Sequence, residues 1–181
     1  MQIRGAFLPV INGFAVCALI QPHAAIAQSP AEINMQAYAT TVRIEGPSEG
    51  SGVMYSREGS TYYVLTAKHV FDEEGNYEVV TPDRQRYPIN PSRIQEYENI
   101  DIAEFAFDSA VEYSVAEIGD SNRILLGNAV FISGWAEETP AVQERAFLFS
   151  QGEVSALLQN PDQGYSLLYS NSTRQGMSGG P

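Results

Sequence analysis

The chain has 181 residues, with 22 acidic against 10 basic side chains and a formal net charge of −12. That balance argues against nucleic acid as a partner, because a surface of the same sign repels a polyanion. A single cysteine, Cys17, rules out an intrachain disulfide, and two histidines leave little from which to build a zinc site.

The first segment reads as an export signal. Arg4 supplies a positive start, Ala6 to Ile20 is mostly apolar, and Ala25-Ile26-Ala27 is a small-residue cleavage site. Pro9, Asn12 and Gly13 interrupt an apolar run already shorter than the roughly 18 to 20 residues that a spanning helix needs. Cys17 sits inside the apolar run rather than after it, so it is not a lipid acceptor. The expectation is a signal peptide over residues 1–27, a mature domain over 28–181, and a secreted or periplasmic protein with no membrane insertion once the signal is removed. The mature domain would contain no cysteine, so burial and hydrogen bonding alone must hold it together.

After a polar stretch from Gln28 to Gln36, short apolar runs alternate with turn residues. Strands are predicted at Thr40–Ile44, Gly52–Tyr55, Tyr62–Ala67, Glu78–Thr81, Ile102–Phe107, Ala129–Ser133, Ala146–Ser150, Gly152–Leu157 and Tyr165–Tyr169. Gly46-Pro47, Gly59-Ser60, Pro82-Asp83 and Asn160-Pro161-Asp162 punctuate them. Only the stretch around His69 leaves room for a helical turn of interest. The class is all-β, and spacing fits a sandwich and a barrel equally well.

Three short segments carry chemistry. His23 falls in the signal, which leaves His69 as the single histidine of the mature domain. It follows the apolar run Tyr62-Tyr63-Val64-Leu65, where a buried strand emerges into a turn. A lone histidine is usually a plain surface or core residue, and this setting is what singles it out. Asp101 stands between two isoleucines at the head of an apolar strand, where a carboxylate needs a partner; Asp108 and Asp120 read as ordinary turn aspartates. An Asp at that place can accept the N–H of an imidazole and fix its tautomer. Gly176-Met177-Ser178-Gly179-Gly180-Pro181 surrounds a serine with glycines. A linker can look the same, but an attacked carbonyl also needs main-chain donors free of obstructing side chains, and the N–H groups of Gly176 and Ser178 suit that oxyanion role.

The serine motif also satisfies G-x-S-x-G, the nucleophile elbow of α/β-hydrolases. Chain order decides against that reading, because those enzymes place the acid and the histidine after the serine and no histidine follows Ser178. An acid-first order fails as well, since no comparable Asp motif precedes His69. The order that remains is His, Asp, Ser.

Thr66-Ala67-Lys68-His69, Asp101-Ile102-Ala103 and Gly176-Met177-Ser178-Gly179-Gly180-Pro181 together resemble the three signatures of trypsin/chymotrypsin-like serine peptidases of the bacterial, secreted type. Gly50-Ser51-Gly52-Val53 and Val130-Phe131-Ile132-Ser133-Gly134-Trp135 extend the resemblance, which runs from about Val42 to the end. It implies two antiparallel six-stranded β-barrels, about 38–112 and 113–181, with the active site in the cleft between them. It further implies His69, Asp101 and Ser178 as the catalytic triad, Gly176 and Ser178 as the oxyanion hole, and Ser172 and Thr173 as substrate-binding residues. A protein or peptide is the implied substrate, cleaved through an acyl-enzyme with neither metal nor organic cofactor.

Met177 stands where many zymogen-activated members carry an aspartate, so the site is expected to form without zymogen-style cleavage. Neither Ser172 nor Thr173 is charged, which argues against a strict Lys or Arg preference. The resemblance implies further strands beyond Pro181, so the second barrel is expected to be incomplete in this chain. The alternative expectation is a truncated, non-catalytic homologue serving as a binding or structural module. Asp72-Glu73-Glu74 could attract a hard cation, yet it reads more simply as a solvated charge run.

Overall fold

The computed structural model describes residues 28–158 and 165–181. The expected export signal with Cys17 and His23, and the expected turn at Asn160-Pro161-Asp162, lie outside the described residues.

The polar stretch after Gln28 departs from the sequence expectation: Pro30–Thr40 is an α-helix, α1. Its ends, not its faces, account for it. Ser29 accepts from the Glu32 amide while the Glu32 carboxylate accepts from the Ser29 amide at 2.7 Å, and Pro30 occupies the first turn. This reciprocal capping satisfies donors that a helix start leaves unpaired. At the other end the Thr41 hydroxyl donates to the Ala37 carbonyl at 2.6 Å. Such a helix has no strong apolar stripe, which is why periodicity missed it; the Ser-Pro-Ala-Glu start was the available signal.

Seven strands then form one antiparallel sheet. They are β1 (Thr41–Glu45), β2 (Gly50–Glu58), β3 (Thr61–Thr66), β4 (Glu78–Val80), β5 (Arg86–Pro88), β6 (Gln95–Glu96) and β7 (Ala103–Asp108), in the order β5-β4-β1-β2-β3-β7-β6. The two short strands β5 and β6 were not predicted, because two or three residues are too few to show an alternation. Gly59 closes the tight β2–β3 hairpin at a φ of +62°, a conformation that costs an L side chain about 1–2 kcal/mol.

Alternate residues of β3 turn inward, so that Tyr62 and Val64 are fully buried while their neighbours are only partly so. With Val42, Ile44, Met54, Val79 and Phe105 they make the core, which lies inside the curl of this sheet. Side chains draw the curl together at its ends: the Tyr87 ring of β5 lies 5.0 Å from that of Phe107 of β7, and its hydroxyl is 2.8 Å from Ser109 Oγ.

A smaller sheet follows, with β8 (Ala129–Ala136), β9 (Ala146–Leu157) and β10 (Leu167–Tyr169) in the order β10-β9-β8. The two strands predicted at 146–150 and 152–157 are one. Gly152 pairs with Val130 inside the ladder instead of breaking it. It is a glycine because a Cβ there would meet the Asn171 side chain and lie 2.8 Å from the Asn171 amide nitrogen. Among the described residues the architecture is thus mostly strand with one α-helix, a curled sheet plus a smaller one, in agreement with the expected trypsin-like all-β class. The first sheet has seven strands where six were expected, and the second has three among the described residues. β1 and β2 pack on β8, and the chemistry gathers beside that junction.

Candidate active site

His69 belongs to a short 3₁₀ turn, Lys68–Phe71, that continues β3. Val70, fully buried beside it, anchors the turn while the His69 side chain stays half exposed. Asp101 lies just before β7, two residues after Asn99, whose φ of +61° turns the chain back. Asparagine is one of the few non-glycine residues that takes this conformation readily.

These two residues meet. The Asp101 carboxylate accepts the His69 amide on one oxygen at 3.0 Å, and its other oxygen stands 2.8 Å from His69 Nδ1. A third donor, the Tyr165 hydroxyl, reaches that second oxygen at 2.6 Å. Burial pushes the Asp101 carboxyl up, but the hydrogen bonds from Tyr165 and from the His69 amide and ring outweigh it and hold it below the usual carboxylate range. An ionised carboxylate can only accept, so Nδ1 is the donor in this bond. The bond to Asp101, followed by burial, raises the Tyr165 hydroxyl above its ordinary value.

The serine loop consists of two successive turns. Met177 N–H donates to the Arg174 carbonyl at 3.2 Å, and Gly180 N–H donates to the Met177 carbonyl at 3.0 Å. Gly176 and Gly179 occupy the third position of each, at φ of +85° and +81°, which is the type II geometry. Gly179 has a second reason to be glycine: a Cβ would collide with Thr66 Oγ1 and the Ser51 carbonyl, and would lie 2.6 Å from the Ala67 amide nitrogen.

Both sheets hold this loop. The Ser51 amide on β2 donates to the Ser178 carbonyl at 2.8 Å, the Ser51 hydroxyl donates to the Gly176 carbonyl at 2.9 Å, and the Glu137 amide donates to the Gln175 carbonyl at 2.9 Å. In a trans peptide the N–H points opposite to its carbonyl. The Gly176 N–H is therefore directed away from Glu137, and the Ser178 N–H away from Gly180. Neither amide donates to any acceptor among the described residues, although Gly176 is buried. An unpaired buried N–H is costly, which sets this amide apart from the backbone around it.

His69, Asp101 and Ser178 line one cavity of about 500 Å³, together with Thr173, Arg174 and Tyr165. Three of the predicted site residues and one predicted substrate-binding residue thus come together. The other, Ser172, does not line that cavity; it is exposed, and its amide donates to Ser150 Oγ at 3.2 Å. Gly176, the other residue predicted for the oxyanion hole, does not line the cavity. The Ser178 hydroxyl and the His69 ring are not hydrogen-bonded to each other, a common situation before a substrate tightens such a site. A larger cavity of about 910 Å³ lies between α1 and β8. None of the three triad candidates lines it. Among the described residues no group of three or more His, Cys, Asp and Glu could hold a metal.

Sequence reasoning missed two residues. Tyr165 was read only as the start of a strand, and nothing in its neighbours marks a partner for an aspartate 64 residues away. Arg145 lies in the polar run Gln143-Glu144-Arg145 and gave no pattern at all, yet it is buried among backbone carbonyls of both sheets.

The model of the trypsin-like peptidase domain family matches residues 50–181. The chain belongs to that family. It is similar to two proteins named serine protease Do-like HtrA. One, from Lactobacillus helveticus, is 27% identical over 114 residues, 63% of this chain and 26% of the relative. The other, from Lactococcus lactis subsp. lactis (strain IL1403), is 27% identical over 123 residues, 68% of this chain and 29% of the relative. The chain therefore spans less than a third of the length of these relatives.

Proposed function

We propose that this protein is a serine endopeptidase that uses His69, Asp101 and Ser178. One observation carries the reading: the Asp101 carboxylate binds the Nδ1 side of the single described histidine, and both residues line one cavity with Ser178. The family membership supports it, and so does the similarity to two proteins named as serine proteases.

In this reading, Ser178 Oγ attacks the scissile carbonyl carbon and its proton passes to His69 Nε2. The C–O bond forms as the carbonyl π pair moves onto oxygen, where the Gly176 and Ser178 N–H groups receive the charge. The imidazolium, steadied by Asp101, then protonates the leaving amine as the C–N bond breaks and the acyl-enzyme remains. Water repeats the sequence with His69 as base and releases the acid. Thr173 and Arg174 line the substrate side of the cavity. We assign the protein to the cell exterior or periplasm on the export signal expected in residues 1–27.

The test is hydrolysis of fluorogenic peptides, with labelling by a fluorophosphonate probe mapped to its residue. Wild type should turn over peptide and carry the label on Ser178, and Ser178→Ala should do neither while retaining its fold. Equal turnover by both proteins would remove Ser178 from this role, and a folded wild type that neither reacts nor cleaves would favour the binding-module alternative.

A further inference from the structure

Arg145 is 7% exposed, and its guanidinium is spent on main-chain oxygens. Nη1 donates to the Ile44 carbonyl at 3.0 Å, and Nη2 donates to those of Gly50 at 3.0 Å, Trp135 at 2.7 Å and Gly176 at 3.2 Å. Two hydrogens on Nη2 serve three carbonyls, so one of these bonds is shared. Glu49 Oε2 stands 3.4 Å from Nε as a charge partner without hydrogen-bond geometry.

Burying a guanidinium costs several kcal/mol unless its donors are met, so a cation at this place needs a reason. The four carbonyls supply it. They belong to the end of β1, the start of β2, the end of β8 and the serine loop, which are the segments that meet at the junction of the two sheets. Only a planar fork with several fixed donors can reach acceptors in so many directions at once; an ammonium on a flexible stem cannot.

The Gly176 carbonyl belongs to the peptide that lies between the two candidate oxyanion donors. The peptide before it is pinned through the Gln175 carbonyl, and the one after it through the Met177 carbonyl. Its own carbonyl is pinned by Ser51 and Arg145. If that middle peptide rotates, the Gly176 and Ser178 amides change direction relative to each other. We infer that Arg145 is a positioning residue for the oxyanion hole: its guanidinium, bound to the Gly176 carbonyl and to both sheets, holds the serine loop with both amides aimed outward. This rests on the peptidase reading only for its kinetic consequence, because the tether itself can be measured without turnover.

The experiment uses the full chain and the variants Arg145→Lys and Arg145→Met. Amide hydrogen exchange is followed in a peptide covering the serine loop and in peptides from β3 and β7, alongside kcat, KM and the rate of fluorophosphonate labelling. Exchange in the loop should rise in both variants while β3 and β7 stay protected. Loss of one oxyanion donor costs about 10²–10³ in kcat, so a loosened pair should cost about 10 to 100-fold, with KM within about threefold and Met worse than Lys. Unchanged loop exchange with unchanged kcat would overturn the inference. So would loss of β3 and β7 protection in both variants, since Arg145 would then hold the fold and not the loop. A wild type that carries no label on Ser178, with loop exchange still rising in the variants, would remove the peptidase reading and leave the tether standing.

Discussion

The amide of Ser51 donates to the carbonyl of Ser178 at 2.8 Å, so strand β2 of the first sheet holds the serine loop that follows the second. The same Ser51 uses its hydroxyl as a relay: it accepts from the Trp135 amide at 2.8 Å and donates to the Gly176 carbonyl at 2.9 Å. One small, fully buried side chain therefore ties β8 to the serine loop.

Ser51→Ala removes that hydroxyl and strands the Trp135 amide, while the Gly176 carbonyl keeps its bond from Arg145. A stranded donor costs about 1–3 kcal/mol, so the variant should unfold at lower denaturant with an unchanged slope. Urea titration followed by circular dichroism measures it. Unaltered stability would mean that the hydroxyl makes neither bond.

Asp101→Asn tests the tautomer. The amide side chain can present its N–H₂ to Nδ1 and so move the ring proton to Nε2, where it cannot act as a base. Turnover should fall on the order of 10⁴, the cost that the serine-peptidase template carries for this change, with binding much less affected. A near-normal rate would transfer the role to another acid.

Tyr165→Phe removes one of three donors to Asp101. A carboxyl depressed in the folded state contributes stability that is full above its unfolded value of about 3.9 and is lost as pH falls through the lower folded value. The variant's Asp101 moves back toward that unfolded value. It should be less stable than wild type near neutral pH, and the difference should shrink once the medium is acid enough to protonate the carboxyl in both. Because Tyr165 is itself largely exposed, the effect should stay below about 1.5 kcal/mol. A stability difference that does not vary with pH would show that the hydroxyl acts elsewhere.

Gly179→Ala places a methyl against Thr66 Oγ1 and the Ser51 carbonyl at a φ of +81°. The left-handed conformation alone costs about 1–2 kcal/mol, and the collision with backbone adds more. The variant should lose at least about 3 kcal/mol of stability and all fluorophosphonate labelling at Ser178. Gly127→Ala is the control, since its φ is +78° but nothing lies within 4 Å of the added carbon. It should cost only the conformational part, and equal losses in the two variants would deny any close approach at Gly179.

The all-β class, most strands of both sheets and the residues His69, Asp101 and Ser178 could be read along the chain, because each depends on neighbours close in sequence. The apolar run Tyr62–Leu65 reports a buried strand wherever that strand ends up, and glycines around a serine leave the main-chain amides beside it unobstructed. Even α1 was readable from its Ser29–Glu32 cap, had the ends of the segment been weighed over its period. Tertiary structure alone could decide what reaches across the chain. It brings Tyr165 onto Asp101, takes Ser172 out of the cavity that Thr173 lines, makes Gly152 a point of close approach instead of a break, and buries Arg145 among carbonyls from four segments. Contacts between residues tens of positions apart leave no local pattern, since their partners are chosen by packing and by the need to satisfy buried polar groups.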